Sequence, residues 1–209
     1  MNPILAFTAL SLSALALLAS CEVIRRLFGA TNEMTRKTAH FGGAAIALVA
    51  PLLLPKAGVV LLGLTFAALL LVTKRTALLD SVHKADRVTL GEVFLPLGVS
   101  SAALLFLPDR LGHYLFGMLI MGLADGLAGI IGKRWGRHRL VLFGIRKTWE
   151  GTLTFFMSTA LIVSLVTPLT LGPLALVCLL LTVVEFVSVR GLDNLTLPIA
   201  AGILLSAVL

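Results

Sequence analysis

Eight long apolar runs, separated by short polar segments, limit what this chain can fold into more than any other feature of its sequence. They lie near residues 3–21, 39–54, 57–73, 93–107, 113–131, 152–170, 172–188 and 194–209. Hydrophobic residues make up 58% of the chain and charged residues only 13%, too little charge for a water-facing surface. Because backbone polar groups in a bilayer must bond to one another, and the runs are continuous rather than alternating, helices are favoured over a barrel. The sequence therefore predicts an all-α membrane protein of about eight transmembrane helices.

The runs follow one another without a linker, a low-complexity tract or a visible internal repeat. We therefore expect a single transmembrane domain over residues 1–209. Most prolines lie near the ends of runs, where breaking a helix costs little, and Pro96 is expected in the first turn of its run. Leu18-Ala19-Ser20-Cys21 is similar to a lipoprotein cleavage site, but no charged side chain precedes it, so an uncleaved helix is expected.

Basic residues are distributed unevenly among the segments between the runs. Fifteen of the 17 Lys and Arg residues fall in every second segment, beginning with the first, and only Lys56 and Arg110 fall in the others. Cytoplasmic loops of membrane proteins are rich in Lys and Arg. The pattern predicts that the odd loops face the cytoplasm, in a bacterial-type cytoplasmic membrane, with both termini outside. Cytoplasmic loops rich in Lys and Arg also account for the net charge of +7. We therefore do not expect a nucleic acid as a partner.

On this topology, polar residues that are unusual in apolar helices fall at one depth, just inside the cytoplasmic face. They are His40, Glu92, Asp125, Lys147, Glu150, Glu185, Asp193 and Asn194. Ionisable residues at such positions are expensive and mark functional sites. We expect a site here that meets a soluble nucleotide from one side and a lipid head from the other.

Arg36, Lys37 and His40 lie at the predicted start of the second helix, with Arg36 and His40 one turn apart on the same face. Cations at a helix N-terminus favour phosphate binding. The alternative is a cytoplasmic flank of topological origin, with a histidine that bonds to a neighbouring helix.

Asp125 lies within the fifth run, between glycines that recur at helical spacing. A carboxylate within a transmembrane helix costs about 2.5–3.5 kcal/mol on insertion scales, which makes Asp125 a candidate for catalysis or metal binding. A structural hydrogen bond between helices is the alternative. The glycines favour close helix packing and leave the backbone open to a ligand.

The fifth loop combines cations with a helix start, a pattern that favours polyphosphate binding and includes Lys133, Lys147 and Thr148. Glu150 follows directly and is out of place as a phosphate ligand. It is suited to Mg²⁺, which takes one or two carboxylates together with substrate phosphates. The alternative is an acidic residue that the helix dipole favours.

Together these segments resemble the CTP-dependent polyprenol kinases, the group of dolichol, phytol and yeast-type diacylglycerol kinases. The motifs, in family order across residues 36–198, are Arg36-Lys37-x-x-His40, Asp125-Gly-x-Ala128-x-x-x-Gly132, Lys147-Thr-x-Glu150-Gly and Gly191-x-Asp193-Asn194-x-x-x-Pro198. Gly91-Glu92-x-Phe94-x-Pro96-Leu97 is similar to the family's fourth helix. Ala124 and Thr152 depart mildly from the family pattern, where Gly and Ser are common.

The resemblance implies transfer of the γ-phosphoryl group of CTP to a lipid alcohol with a divalent cation, Mg²⁺. Asp125 and Glu150 are then expected to serve the metal or the acceptor hydroxyl. The residues expected to hold CTP are Arg36, Lys37, Lys133, Lys147, Thr148, Asp193 and Asn194. His40 is a candidate to accept the hydroxyl proton because imidazole titrates near neutral pH.

Two other functions are compatible with parts of the sequence. A phosphatidate cytidylyltransferase also uses CTP in a membrane, but it carries a longer acidic signature near its C-terminus that this chain lacks. A transporter usually places polar groups at the bilayer midplane between inverted repeats. The sequence indicates neither which lipid alcohol is the acceptor nor the oligomeric state.

Overall fold

In the computed structural model of the chain, which describes residues 2–76, 78–83, 89–142 and 145–208, the fold is almost entirely helical. The helices are α1 (Pro3–Phe28), α2 (Asn32–Leu53), α3 (Lys56–Thr73), α4 (Asp80–His83), α5 (Gly91–Phe106), α6 (Leu111–Leu119), α7 (Gly126–Trp135), α8 (Trp149–Val166), α9 (Leu171–Val187) and α10 (Asp193–Val208). A π-helical segment, Ile120–Asp125, joins α6 to α7.

Each of the eight apolar runs corresponds to one long helical segment, α6, the π-helical segment and α7 together forming the fifth. Among the described residues, four are long and apolar enough to cross a membrane: Pro3–Phe28, Lys56–Thr73, Leu111–Trp135 and Trp149–Val166. The helices Gly91–Phe106, Leu171–Val187 and Asp193–Val208 are apolar but shorter. The predicted helical, membrane-type architecture is confirmed, whereas the number of spans and the side of the termini stay predictions.

In addition to the helices of the predicted all-α fold, the fifth loop contains a short pair of strands. Strands β1 (Arg139–Leu142) and β2 (Ile145–Thr148) form an antiparallel hairpin in which Arg139 lies opposite Thr148. Strands of four residues are too short for an alternating pattern to be distinguished from a loop. The short helix α4 escaped prediction for the same reason.

Several helices extend beyond the apolar runs because polar residues cap them. Thr31 accepts a hydrogen bond from the Met34 amide at the start of α2, and Thr148 accepts one from Gly151 at the start of α8. Arg36 and Lys37 therefore lie on α2. Lys133, predicted in the fifth loop, lies in the last turn of α7. Pro96 lies well inside α5 rather than in its first turn.

The helices alternate in direction, so that the starts of α2, α5, α8 and α10 meet the ends of α3, α7 and α9 at one end of the bundle. Helix α5 packs between α3 and α10. A side chain on Gly98 of α5 would overlap the carbonyl oxygen of Asn194, so these two helices approach closely there. The Asn194 side-chain amide also donates to the Gly91 carbonyl, at 2.7 Å. The start of α10 is thereby fixed against the start of α5.

Candidate active site

A cavity of about 660 Å³ opens at the end of the bundle where these helix ends meet. Its polar head is lined by charged and polar side chains at helix ends, among them Lys37, His40, Asp125, Lys147, Glu185 and Asp193. Its apolar arm runs between α1, α2, α3 and α5 and is lined by residues such as Leu17, Ile46, Leu62, Phe66, Leu95 and Val99. Along α2 the lining extends from Glu33 to Ala47, roughly 21 Å at 1.5 Å per residue. The cavity therefore has room for a ligand that is charged at one end and apolar at the other.

Asp125 is the last residue of the π-helical segment and lines the polar head. Such segments are frequent at functional sites. The carbonyl of Met121, in the same segment, lies 3.0 Å from Nε2 of His40, and Oδ2 of Asp125 lies 3.8 Å from that nitrogen. A carbonyl oxygen only accepts, so Nε2 of His40 carries the hydrogen and donates it. The nitrogen that faces Asp125 therefore has no lone pair with which to take up a substrate proton.

Lys147 connects the hairpin to α9 and α10. Its ammonium group donates to the Glu185 carbonyl at 2.8 Å, forms an ion pair with the Glu185 carboxylate, and lies 3.9 Å from Oδ2 of Asp193. The charges of Asp125, Glu185 and Asp193 are close enough to interact with one another. Lys147 thus lies beside two carboxylates, Glu185 and Asp193, and both of these interact with a third, Asp125. Only the tertiary fold brings these groups together.

The other predicted cations line the same polar head. Lys37 extends towards α7, where a side chain on Gly129 would overlap its ammonium group. Arg36 lies 2.9 Å from the Glu33 carboxylate, and Lys133 lies 3.5 Å from it. The structure therefore brings the predicted phosphate-binding residues of α2 and α7 to one side of the cavity.

Thr148, Asp193 and Asn194, which are predicted to bind the nucleotide, also line the cavity. Glu150 is placed differently. Its carboxylate accepts hydrogen bonds from the backbone amides of Arg137 and His138, at 3.0 and 3.2 Å, and lies 2.7 Å from Nδ1 of His138. Glu150 is not among the described residues that line the cavity. The structure thus brings Asp125 together with the other predicted residues, whereas Glu150 fastens the segment before the hairpin.

Four buried oxygen atoms in the cavity wall have no hydrogen-bond partner among the described residues. They are Oε2 of Glu92, Oγ1 of Thr152, Oε2 of Glu185 and Oδ1 of Asn194. Leaving a buried polar atom unpaired costs free energy, and nearly all such atoms in native proteins have a partner. Four of them around one cavity indicate that a polar ligand completes the site.

Glu92 and Glu185 line the cavity, although their sequence context predicted no specific role for either carboxylate. Both were recognised as lying at the depth of the site. The sequence feature that could have identified them is a carboxylate at or near the end of an apolar helix. A carboxylate within an apolar run is also the feature that marked Asp125. What the sequence did not show was their partners, Lys74 and Lys147, which lie 18 and 38 residues away.

The polar head suits a hard cation through its oxygen donors. No group of three or more His, Cys, Asp or Glu residues in the described part of the chain is arranged to hold a metal ion. Mg²⁺, however, is usually held by one or two carboxylates and completes its shell with substrate phosphates and water. Two interacting carboxylates, Asp125 and Asp193, and the unpartnered oxygen of Asn194 fit that requirement.

The fold and the cavity define a helical, membrane-type protein with a site for an amphipathic ligand, and known proteins narrow this class. The chain is 32% identical over 200 residues to the phytol kinase of Synechocystis sp., covering 90% of this chain and 85% of that protein. It is 39% identical over 116 residues to the dolichol kinase of Saccharomyces cerevisiae, covering 49% of this chain and 22% of that protein. A probable chloroplastic phytol kinase of Oryza sativa is 35% identical over 96 residues, or 39% of this chain and 30% of its own length.

No protein-family model matches the chain, and no solved structure matches it. The similarity to the Synechocystis protein nevertheless extends over nearly the whole of both chains. The chain belongs to the family of phytol and polyprenol kinases, as its motifs predicted. It is accordingly a phosphotransferase of the lipid-alcohol kinase type rather than a cytidylyltransferase or a transporter.

Proposed function

We propose that the protein transfers the γ-phosphoryl group of CTP to the hydroxyl group of a prenyl-type lipid alcohol, with phytol the first acceptor to test. The observation that carries this proposal is the single cavity in which a charged polar head continues into an apolar arm. A triphosphate fits the first part and a branched hydrocarbon tail the second. The names of the relatives, phytol kinase and dolichol kinase, support the same class of acceptor.

Phosphoryl transfer depends mainly on positioning and on neutralising charge, which suits the residues of the polar head. We assign Arg36, Lys37 and Lys147 to the phosphates, supported by Lys133 and Thr148. The alcohol oxygen forms a bond to the γ-phosphorus, and the bond from that phosphorus to the β,γ-bridging oxygen breaks. CDP leaves with the electron pair, and the hydroxyl proton passes to a carboxylate of the polar head.

For the divalent cation we propose Asp125 and Asp193 as the protein ligands. A bound Mg²⁺ would offset the negative charge of the phosphates. Asp125 is favoured over Glu150 because it lines the cavity, whereas the Glu150 carboxylate already accepts backbone hydrogen bonds. His40 we assign to holding Asp125 in position, from its contacts with Met121 and the Asp125 carboxylate.

We further propose eight membrane spans, with both termini outside and the polar head facing the cytoplasm of a bacterial-type cell. The distribution of Lys and Arg supports this orientation. It gives the polar head access to cytosolic CTP, while the apolar arm lies within the membrane next to its lipid acceptor.

The decisive experiment follows the label from [γ-³²P]CTP in membranes that contain the protein, with phytol as the acceptor and Mg²⁺ present. We expect labelled phytyl monophosphate and unlabelled CDP, loss of the reaction with EDTA, and a poorer reaction with ATP. Membranes without the protein are the control. Label in pyrophosphate, or a requirement for phosphatidate as the acceptor, would contradict the proposal, as would the absence of transfer to any prenyl alcohol.

A further inference from the structure

One face of α5 combines a carboxylate with an apolar stripe. Glu92, Leu95, Pro96 and Val99 are spaced three, four and seven residues apart, so they share a face of the helix, and all four line the cavity. Glu92 lies in the first turn of α5, at the end of the bundle that carries the polar head. The face therefore passes from a charged group into the apolar arm within two helical turns.

One oxygen of the Glu92 carboxylate is held by neighbouring side chains, and the other is buried without a partner among the described residues. Oε1 accepts a hydrogen bond from the Lys74 ammonium group and lies 3.3 Å from Nδ1 of His83. Lys74 also donates to the Thr89 carbonyl at 2.6 Å, and Nε2 of His83 lies 3.0 Å from the Thr73 hydroxyl. The Glu92 side chain is only 3% exposed, and its Oε2 has no partner among the described residues. A carboxylate fixed in this way presents one acceptor atom in a defined direction.

The chemistry of that atom decides what it binds. An ionised carboxylate repels phosphate oxygens, and an aliphatic tail offers it no hydrogen. A hydroxyl group donates one hydrogen bond, which the unpartnered oxygen requires. The apolar stripe beside it accommodates a hydrocarbon chain, and burial of such a chain is favourable.

We infer that Oε2 of Glu92 accepts the hydrogen bond of the lipid alcohol's hydroxyl group, with the hydrocarbon tail lying along Leu95, Pro96 and Val99. This inference rests on the proposed function and adds the residue that binds the acceptor. Glu92 fixes the hydroxyl oxygen at the boundary between the polar head and the apolar arm. Lys74 and His83 are positioning residues, since they act through the carboxylate.

The test is the Glu92→Gln variant, assayed with phytol and CTP varied separately. Glutamine keeps the shape of the side chain but loses the charge that fixes it to Lys74. We expect the KM for phytol to rise about tenfold or more, while the KM for CTP changes less than twofold, because sites built to bind a hydroxyl discriminate strongly. The matched control is Asp109→Asn, an acid-to-amide change at the opposite end of the bundle, which should alter neither KM. An unchanged KM for phytol, or a rise only in the KM for CTP, would overturn the inference.

A second measurement uses the unmodified protein, so it does not depend on how well the variant folds. Phytyl methyl ether keeps the tail and the oxygen of phytol but has no hydrogen to donate. We expect the inhibition constant of the ether to be at least about tenfold higher than the KM for phytol. Inhibition by the ether as strong as phytol binding would contradict the inference while leaving the proposed function intact. Absence of phosphoryl transfer to any prenyl alcohol would instead contradict the proposed function itself.

Discussion

At the scale of single residues, two carboxylates that the sequence treats alike have different surroundings in the fold. Asp125 lies in the polar head near His40 and interacts with the charges of Glu185 and Asp193. Glu150 accepts hydrogen bonds from backbone amides of the segment that precedes the hairpin. The first surroundings suit a cation and the second suit a structural contact.

This contrast predicts different results for the two acid-to-amide variants. Asp125→Asn should lower kcat by roughly 100-fold or more, because a group that handles transition-state charge has no substitute nearby. Glu150→Gln should lower kcat/KM by about tenfold or less, since the amide oxygen still accepts one backbone hydrogen bond. Steady-state kinetics over a range of Mg²⁺ concentrations, on protein of matched yield, gives both values.

A larger loss of activity in Glu150→Gln than in Asp125→Asn would show that Glu150, and not Asp125, binds the metal. The sequence marked Asp125 as a candidate because a carboxylate in an apolar helix is costly, and the structure places Asp125 in the cavity wall. It did not reveal the surroundings of Glu150, because the partners of that carboxylate depend on how residues 137 and 138 fold back over α8.

At the scale of elements, the connection between α9 and α10 sets the position of Asp193 and Asn194. Gly191 has a φ of +88°, in the region that favours glycine, and a side chain there would overlap the backbone of Gly91. The start of α10 can approach α5 closely only because both residues are glycine.

Gly191→Ala should therefore damage both stability and activity. The left-handed conformation costs about 1–2 kcal/mol for a residue with a side chain, and overpacking adds roughly 1–3 kcal/mol. We expect a lower midpoint of thermal unfolding in detergent and a raised KM for CTP. Gly172→Ala is the matched control, because nothing lies within 4 Å of a side chain at that position. Equal midpoints for the two variants would show that the close approach of α5 and α10 is unnecessary.

Helices were the elements that the sequence predicted best. Apolar runs located all eight long segments, and polar caps such as Thr31 and Thr148 explain why the helices extend past them. The π-helical segment was not predicted, because its extra residue per turn leaves no mark in a pattern of apolar residues. It is nevertheless the element that ends at Asp125.

At the scale of the whole molecule, the distribution of charge predicts an orientation in the membrane. Arg137 lies between α7 and the hairpin, next to the polar head, and Lys56 begins α3 at the other end of the bundle. If the basic end faces the cytoplasm, these two positions lie on opposite sides of the membrane.

Single cysteines at these positions test the orientation. Cys21 and Cys178, both buried, would first be replaced to give a background without thiols. A membrane-impermeant maleimide added to intact bacteria should label Lys56→Cys and should label Arg137→Cys only after the cells are permeabilised. Labelling of Arg137→Cys alone in intact cells would reverse the orientation.

Only part of the cavity was predictable at this scale. The meeting of polar residues at one depth followed from the helix pattern and the charge distribution. The apolar arm did not, because its walls come from α1, α2, α3 and α5, and every residue in them reads as ordinary lipid-facing or core sequence. Which apolar residues face the cavity depends on how each helix is rotated about its axis. Because α3 is apolar on nearly all sides, its sequence does not indicate that rotation.

Among the described residues of the cavity wall, the numbers of acidic and basic side chains are equal. Five are acidic and five are basic: Glu33, Glu92, Asp125, Glu185 and Asp193, against Arg36, Lys37, Lys133, Arg139 and Lys147. The whole surplus of +7 therefore resides elsewhere on the chain. If the basic end faces the cytoplasm, long-range attraction to the anionic headgroups of that leaflet would favour this orientation, whereas the cavity wall would exert no net long-range attraction on a polyanion. A polyanionic ligand would therefore depend on local contacts with individual cations and would enter most favourably together with its own counterion.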